Sequence, residues 1–111
     1  MMNEQRAQIT PVVVALAAEI DVTNSDEAYQ QLVAPLAPGV GTVIADLTST
    51  SFCDSSGVHA ILRAHDQAAR QGIALRLAVS PGGSVRRVLE LTGAATVMAL
   101  YSTVAEAMAP A

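Results

Sequence analysis

The stretch Thr50–Arg70, TSFCDSSGVHAILRAHDQAAR, changes character partway along, and the fold is read from that change. From Val58 onward, positions 58, 61, 62, 65, 68 and 69 recur at helical spacing. His59, Arg63, Asp66, Gln67 and Arg70 fall mostly on the opposite side. This predicts one amphipathic helix with a single face packed on a sheet. Just before it the chain runs Phe52-Cys53 and then Asp54-Ser55-Ser56-Gly57, an acidic and hydroxylic turn that opens the helix.

Working outward, Thr42–Leu47 is a short, nearly continuous apolar run, the type expected of a strand covered on both faces. Gln71-Gly72 ends the helix, and Ile73–Val79 predicts another strand, with Leu75, Leu77 and Val79 on one face and Arg76 on the other. Upstream, Arg6–Ile9 and Val12–Ala18 read as a hairpin around Thr10-Pro11, since branching at Cβ favours extended chain. Asn24 and Glu27 have capping-box spacing before a helix that Pro35 should kink or end. Downstream, Ser84 is expected to cap a short helix stopped by Gly93, Thr96–Tyr101 reads as a last strand, and Thr103 with Glu106 caps a terminal helix. Alternation of this kind implies an α/β fold: a mixed, mostly parallel sheet of four to five strands with an N-terminal hairpin and about four helices.

Composition sets limits on this picture. The 111 residues suit one domain over 1–111 with a single core. Twenty-one residues are Ala and three are aromatic, so helices must lie close to the sheet. The net charge is −4, all six basic residues are Arg, and only Arg86-Arg87 are adjacent. That is no phosphate-backbone stripe, and direct nucleic-acid binding is not expected. No window approaches the ~18 apolar residues of a spanning helix, and no secretory pattern opens the chain, so membrane insertion is not expected and the reading is cytoplasmic. One Cys excludes an intrachain disulfide and fits a reducing compartment.

In an open α/β sheet, functional groups gather beyond the carboxyl ends of the strands. Glu19-Ile20-Asp21 and Cys53–Gly57 should both reach that edge and place two acidic clusters beside exposed serine hydroxyls. Capping alone would explain Asp54 or Ser55, but not Asp-Ser-Ser-Gly together.

SFCDSSGVHAIL, preceded by AEIDVTNSDE and followed by AVSPGGSVRRVLELTG, resembles the STAS domain of bacterial anti-sigma factor antagonists over nearly the whole length. The resemblance implies the STAS fold and a partner switch. The unmodified protein would bind a serine kinase that is also an anti-sigma factor, freeing a sigma factor. Phosphorylation would end that binding, and a serine phosphatase would restore it. The accepting serine falls at Ser55, and Asp21, Thr23, Asp54, Ser56, Gly57 and His59 lie around the implied docking surface. Ala18 and His59 stand where the family often has Gly. A phosphate at a helix start would meet free amides and a favourable dipole, so modification need not unfold the domain.

Other readings start from the same turn. Cys53-Asp54-Ser55-Ser56 is a C-x-x-S between a strand and a helix, the placement of a thiol redox motif, though a lone Cys is more often a small filler. A serine hydrolase lacks the G-x-S-x-G elbow, and both histidines lie on the helix after the serines. A P-loop lacks its lysine. Neither His59 nor His65 has a second ligand at metal spacing, so no metal, cofactor or catalytic residue is expected. Within the same fold, a subunit of a transporter-associated or stress-sensing complex, or a small-ligand module, stays open.

Overall fold

The structure is a computed structural model and describes residues 10–109. In chain order its elements are β1 (Val12–Ala15), β2 (Glu19–Ile20), α1 (Ser25–Val33), β3 (Thr42–Asp46), β4 (Phe52–Cys53), α2 (Ser55–Arg70), β5 (Ala74–Ala78), α3 (Ser84–Leu91), a 3-10 turn over Ala94–Thr96, β6 (Ala99–Tyr101) and α4 (Val104–Met108). Four strands form a parallel sheet in the order β1-β3-β5-β6, with Val43 between Val12 and Leu75, and Leu77 beside Leu100. The expected strand at Arg6–Ile9 lies outside the described residues.

The alternation in β3 and β5 sorts the core into two unequal layers. Val43, Ala45, Leu75 and Leu77 join Leu32 of α1, Ile61 and Ala64 of α2 and Leu89 of α3 in the large one. Ile44 and Ala78 face the other way, under Ala107 of α4. Burying an aliphatic side chain of this kind contributes about 1.5–3 kcal/mol. The helical layer over the first face therefore carries most of the stability, and α4 closes the second. Arg76, on that second face, is half-buried and donates from Nη1 to the carbonyl oxygen of Ala107 at 2.9 Å. A cation there also meets the negative end of the short helix.

Three local expectations are corrected. The extended run Val12–Ala18 splits, because after Ala15 the chain leaves the main sheet and resumes as β2 in a separate two-stranded sheet with β4. Asn24 makes no cap: its Oδ1 accepts from the Asp21 amide at 2.9 Å and its Nδ2 donates to the Glu19 carbonyl at 2.8 Å, so its side chain folds back onto the loop. Ser84 makes no cap either, since Gly83 holds that position and the Ser84 hydroxyl donates to the Ser51 carbonyl at 2.9 Å. For Asn24 the competitors are the neighbouring loop groups of Asp21 and Glu19, whereas for Ser84 a carbonyl brought close by the fold outcompetes the local helix end.

Other boundaries follow the sequence closely. α1 ends at Val33, two residues before Pro35. α3 stops before Gly93, whose φ of +84° suits glycine. Thr103 caps α4 by accepting from the Glu106 amide at 3.0 Å, while Glu106 Oε1 accepts from the Ser102 amide.

Candidate functional site

The small sheet assembles the site. β2 and β4 pair in parallel, Glu19 beside Phe52 and Ile20 beside Cys53, so both strands leave at the same edge. Backbone bonds extend the pairing: the Ser51 amide donates to Ala18 O at 2.8 Å, and the Asp54 amide to Ile20 O at 3.1 Å. The Thr50 hydroxyl adds a bond to Ala17 O at 2.8 Å. Asp21 and Asp54, far apart in sequence, thus follow directly from paired strands.

Asp54 is the N-cap of α2. Its backbone is extended (φ −93°, ψ −173°), and Oδ1 accepts from the amides of Ser56 at 2.9 Å and Gly57 at 3.2 Å. The cap satisfies two donors that an uncapped helix start would leave unpaired. This narrows the expectation that a phosphate at Ser55 meets free amides, because the carboxylate already holds those of Ser56 and Gly57. Asp54→Ala is expected to lower stability by about 1 kcal/mol, and Asp54→Asn by less, since Asn also caps. Urea unfolding measures both, and an alanine variant as stable as the parent would show that the cap does not hold this turn.

Asp21 makes a matching turn at the end of β2. Its carboxylate accepts from both the hydroxyl and the amide of Thr23, which hold its pKa below the usual carboxylate value, the hydroxyl contributing most. Asp46 and Thr48 repeat this arrangement at the end of β3. An Asp-x-Thr turn thus closes both strands and fixes where each carboxylate points.

Cys53 and Gly57 face inward. A Cβ on Gly57 would lie 2.5 Å from Cys53 Sγ and 2.8 Å from Ile20 Cγ2, so only glycine lets the first turn of α2 sit this close to β2 and β4. Gly57, expected on the docking surface, is buried and positions the turn from beneath. Burial pushes the Cys53 thiol up to about 11, with the neighbouring Asp54 charge adding to the shift. A redox cysteine needs the opposite shift, so the C-x-x-S spacing here is a packing feature. The thiol is expected to react with a disulfide reagent at pH 8 only as fast as the turn opens, and quickly once the protein is unfolded. The thiol also sets a pH window for stability. Its contribution is present below the unfolded thiol's pKa of about 8.5 and is lost as pH rises towards the folded value of about 11. Rapid modification of the folded protein would contradict this placement.

Ser55 and His59 are exposed, and Ser56 is half-buried. They line an open groove of about 460 Å³ with Ser25 and Asp26 at the start of α1 and Arg63 further along α2. Arg63 lies over the Tyr29 ring at 4.1 Å and reaches Asp26 at 3.7 Å. The groove thus gathers Ser55, Ser56 and His59, and Asp54 caps the helix that carries them. Asp21 and Thr23 stand at the neighbouring strand end. His65 is half-buried along α2, away from this groove. Sequence reasoning overlooked Arg63 and Asp26 as site residues, although the 55, 59, 63 spacing marks one helix face. It also passed over two exposed apolar residues, Val22 (75% exposed) and Phe52 (48%), next to Asp21 and Cys53.

Among the described residues no cluster of ligating side chains could hold a metal ion, and no helix is long and apolar enough to cross a membrane.

A mostly parallel sheet, with a helix start and an Asp-Ser-Ser-Gly turn held at one edge by a second small sheet, defines an α/β module with an exposed serine at its surface. The sequence profile of the STAS domain matches residues 1–107, and the chain belongs to that family. A comparison with curated protein sequences returns no significant match. Among solved structures the chain is similar to an anti-sigma factor antagonist from Mycobacterium paratuberculosis (22% identity, 88% of this chain and 82% of that one, TM-score 0.77). It is also similar to the anti-sigma factor antagonist SpoIIAA in its unphosphorylated form (21% identity, 89% and 86%, TM-score 0.64). A third likeness is to the murine anion transporter Solute Carrier 26 family member A9 (16% identity, TM-score 0.73), where the match covers 89% of this chain and 17% of the transporter. At these identities the likeness speaks to the fold.

Proposed function

We propose that the protein is an anti-sigma factor antagonist whose unphosphorylated form binds an anti-sigma factor serine kinase in the cytoplasm and frees a sigma factor. The observation that carries this reading is Ser55, an exposed hydroxyl at the first position of a firmly capped helix, on an edge shared with Asp21 and Thr23. A kinase needs an accessible hydroxyl, and this turn supplies one. Val22 and Phe52 offer the apolar contacts around which such interfaces form, with Asp21, Thr23, Ser56 and His59 as their polar surround.

In the modification, Ser55 Oγ forms a bond to the γ-phosphorus of ATP as the bond to the ADP oxygen breaks, and the hydroxyl proton passes to a base of the kinase. The product carries about −1.5 to −2 charge at neutral pH beside Asp54. Binding is then lost through charge and shape at the interface, with the domain still folded. A serine phosphatase restores the binding form. Under this reading the chain is a kinase substrate, without catalysis of its own.

Incubation with a cognate kinase and ATP followed by mass spectrometry tests the assignment. Phosphate on Ser55 is the expected result, and phosphate on Ser56 or on neither serine would overturn it. Amide chemical shifts should change around the turn and stay fixed across the core. A general loss of the core pattern would contradict an interface block. The likeness to a domain within an anion transporter favours a second reading, a subunit of a transport assembly. Co-purification with membrane transport subunits in place of a small ATP-binding kinase would support it.

A further inference from the structure

We propose that a phosphoryl group on Ser55 is held within the chain by Arg63 and His59 along the outer face of α2, with Arg63 leaving Asp26 to reach it. This rests on Ser55 being the modified residue. The starting point is the cap: Asp54 already accepts from the Ser56 and Gly57 amides, so the helix start cannot offer those two donors to a phosphate. Beyond the Ser55 amide, which the cap does not hold, a dianion there must draw on side chains.

Two side chains able to donate to a phosphate are in line with it. Ser55, His59 and Arg63 are spaced i, i+4 and i+8, which puts them in one row at about 6 and 12 Å along the helix axis. Side chains on an α-helix lean towards its N-terminus, so those of His59 and Arg63 are directed back towards Ser55. The same groove is lined by all three. Arg63 is held only lightly where it is, at 3.7 Å from an Asp26 side chain that is 95% exposed. Pairs of this kind are weak. A phosphate brings more charge and three acceptor oxygens, and arginine pairs with it in a fork geometry that a single exposed carboxylate at this distance does not use.

The charges around the site act in opposition. From α2, Arg63 attracts the phosphate and His59 can donate a hydrogen bond to it; Asp26 at the start of α1, Asp54 at the cap and Asp21 at the end of β2 repel it. Arg63 is the group able to move, since its guanidinium rests on the Tyr29 ring without a tight partner. The exchange turns the phosphate away from Asp54 and uncovers Asp26. Modification would then do two things to the docking surface: add an anion, and withdraw the groove's arginine from a partner.

The test installs phosphoserine at position 55 by semisynthesis, without a kinase, and follows its 31P chemical shift against pH in the parent, Arg63→Gln, Arg63→Lys and His59→Asn proteins. Both altered residues are exposed, so folding is retained and is checked by circular dichroism. The second phosphate ionisation is expected to rise by roughly half a pH unit in Arg63→Gln, by less in His59→Asn, where one donor replaces another, and to stay near the parent in Arg63→Lys. Identical titrations in the parent and Arg63→Gln would overturn the proposal. Failure of a kinase to modify Ser55 in the parent would overturn the antagonist reading alone, because the titration does not depend on an enzyme.

Discussion

Ser55→Ala is expected to bind the anti-sigma factor kinase as the parent does and to take up no phosphate, whereas Ser55→Asp should bind at least about tenfold more weakly, because a fixed charge buried at an interface without a partner placed for it costs several kcal/mol. The two variants separate the hydroxyl from the charge. Removing the hydroxyl leaves the Asp54 cap intact, since the cap bonds run to the amides of Ser56 and Gly57 and do not involve the Ser55 side chain. Adding a carboxylate places a second anion on the exposed start of α2, beside the first. Titration calorimetry with the kinase, at more than one salt concentration, measures the difference. A serine-to-aspartate change that left affinity untouched would mean that charge at position 55 is not what the partner senses.

Gly57→Ala is expected to lose about 1–2 kcal/mol of stability, against the helix propensity that favours alanine by roughly 1 kcal/mol. The methyl would overlap Cys53 Sγ and Ile20 Cγ2, at 2.5 and 2.8 Å. Neither atom belongs to a flexible chain end: both residues are buried, on strands paired to each other. Overpacking of this kind costs about 1–3 kcal/mol beyond any local gain. Introducing Cys53→Ala into the Gly57→Ala protein should recover part of the loss, because it removes the nearer of the two atoms. Urea unfolding of the four proteins in a double-mutant cycle measures the coupling, and strictly additive effects would refute the contact. The same overlap would tilt the first turn of α2, so kinase binding and phosphorylation of Ser55 should fall together with stability.

These two positions show what could be read in advance. Ser55 stood out because Asp-Ser-Ser-Gly exceeds what a cap requires. Gly57 stood out too, but as part of the docking surface, and the sequence gives no sign that the protein's own core excludes a side chain there. The core does so, through residues on two other strands. Arg63 is the reverse case: its spacing from Ser55 was visible, yet Asp26 and Tyr29 join it only because α1 packs against α2.

By itself the sequence determined what depends on local order. The 3.6-residue period of Val58–Ala69, the apolar runs of β3 and β5, the stops at Pro35 and Gly93 and the cap at Asp54 all arise within a few residues of chain, so each could be read directly. Tertiary structure decided what depends on contacts across the chain. β2 and β4 are two residues each, too short to carry a period, and exist because they pair with one another. Ser84 has the chemistry of a helix cap and was drawn instead to Ser51, a carbonyl 33 positions away that the fold set within reach. A polar side chain takes the best acceptor available, and the sequence names only those nearby.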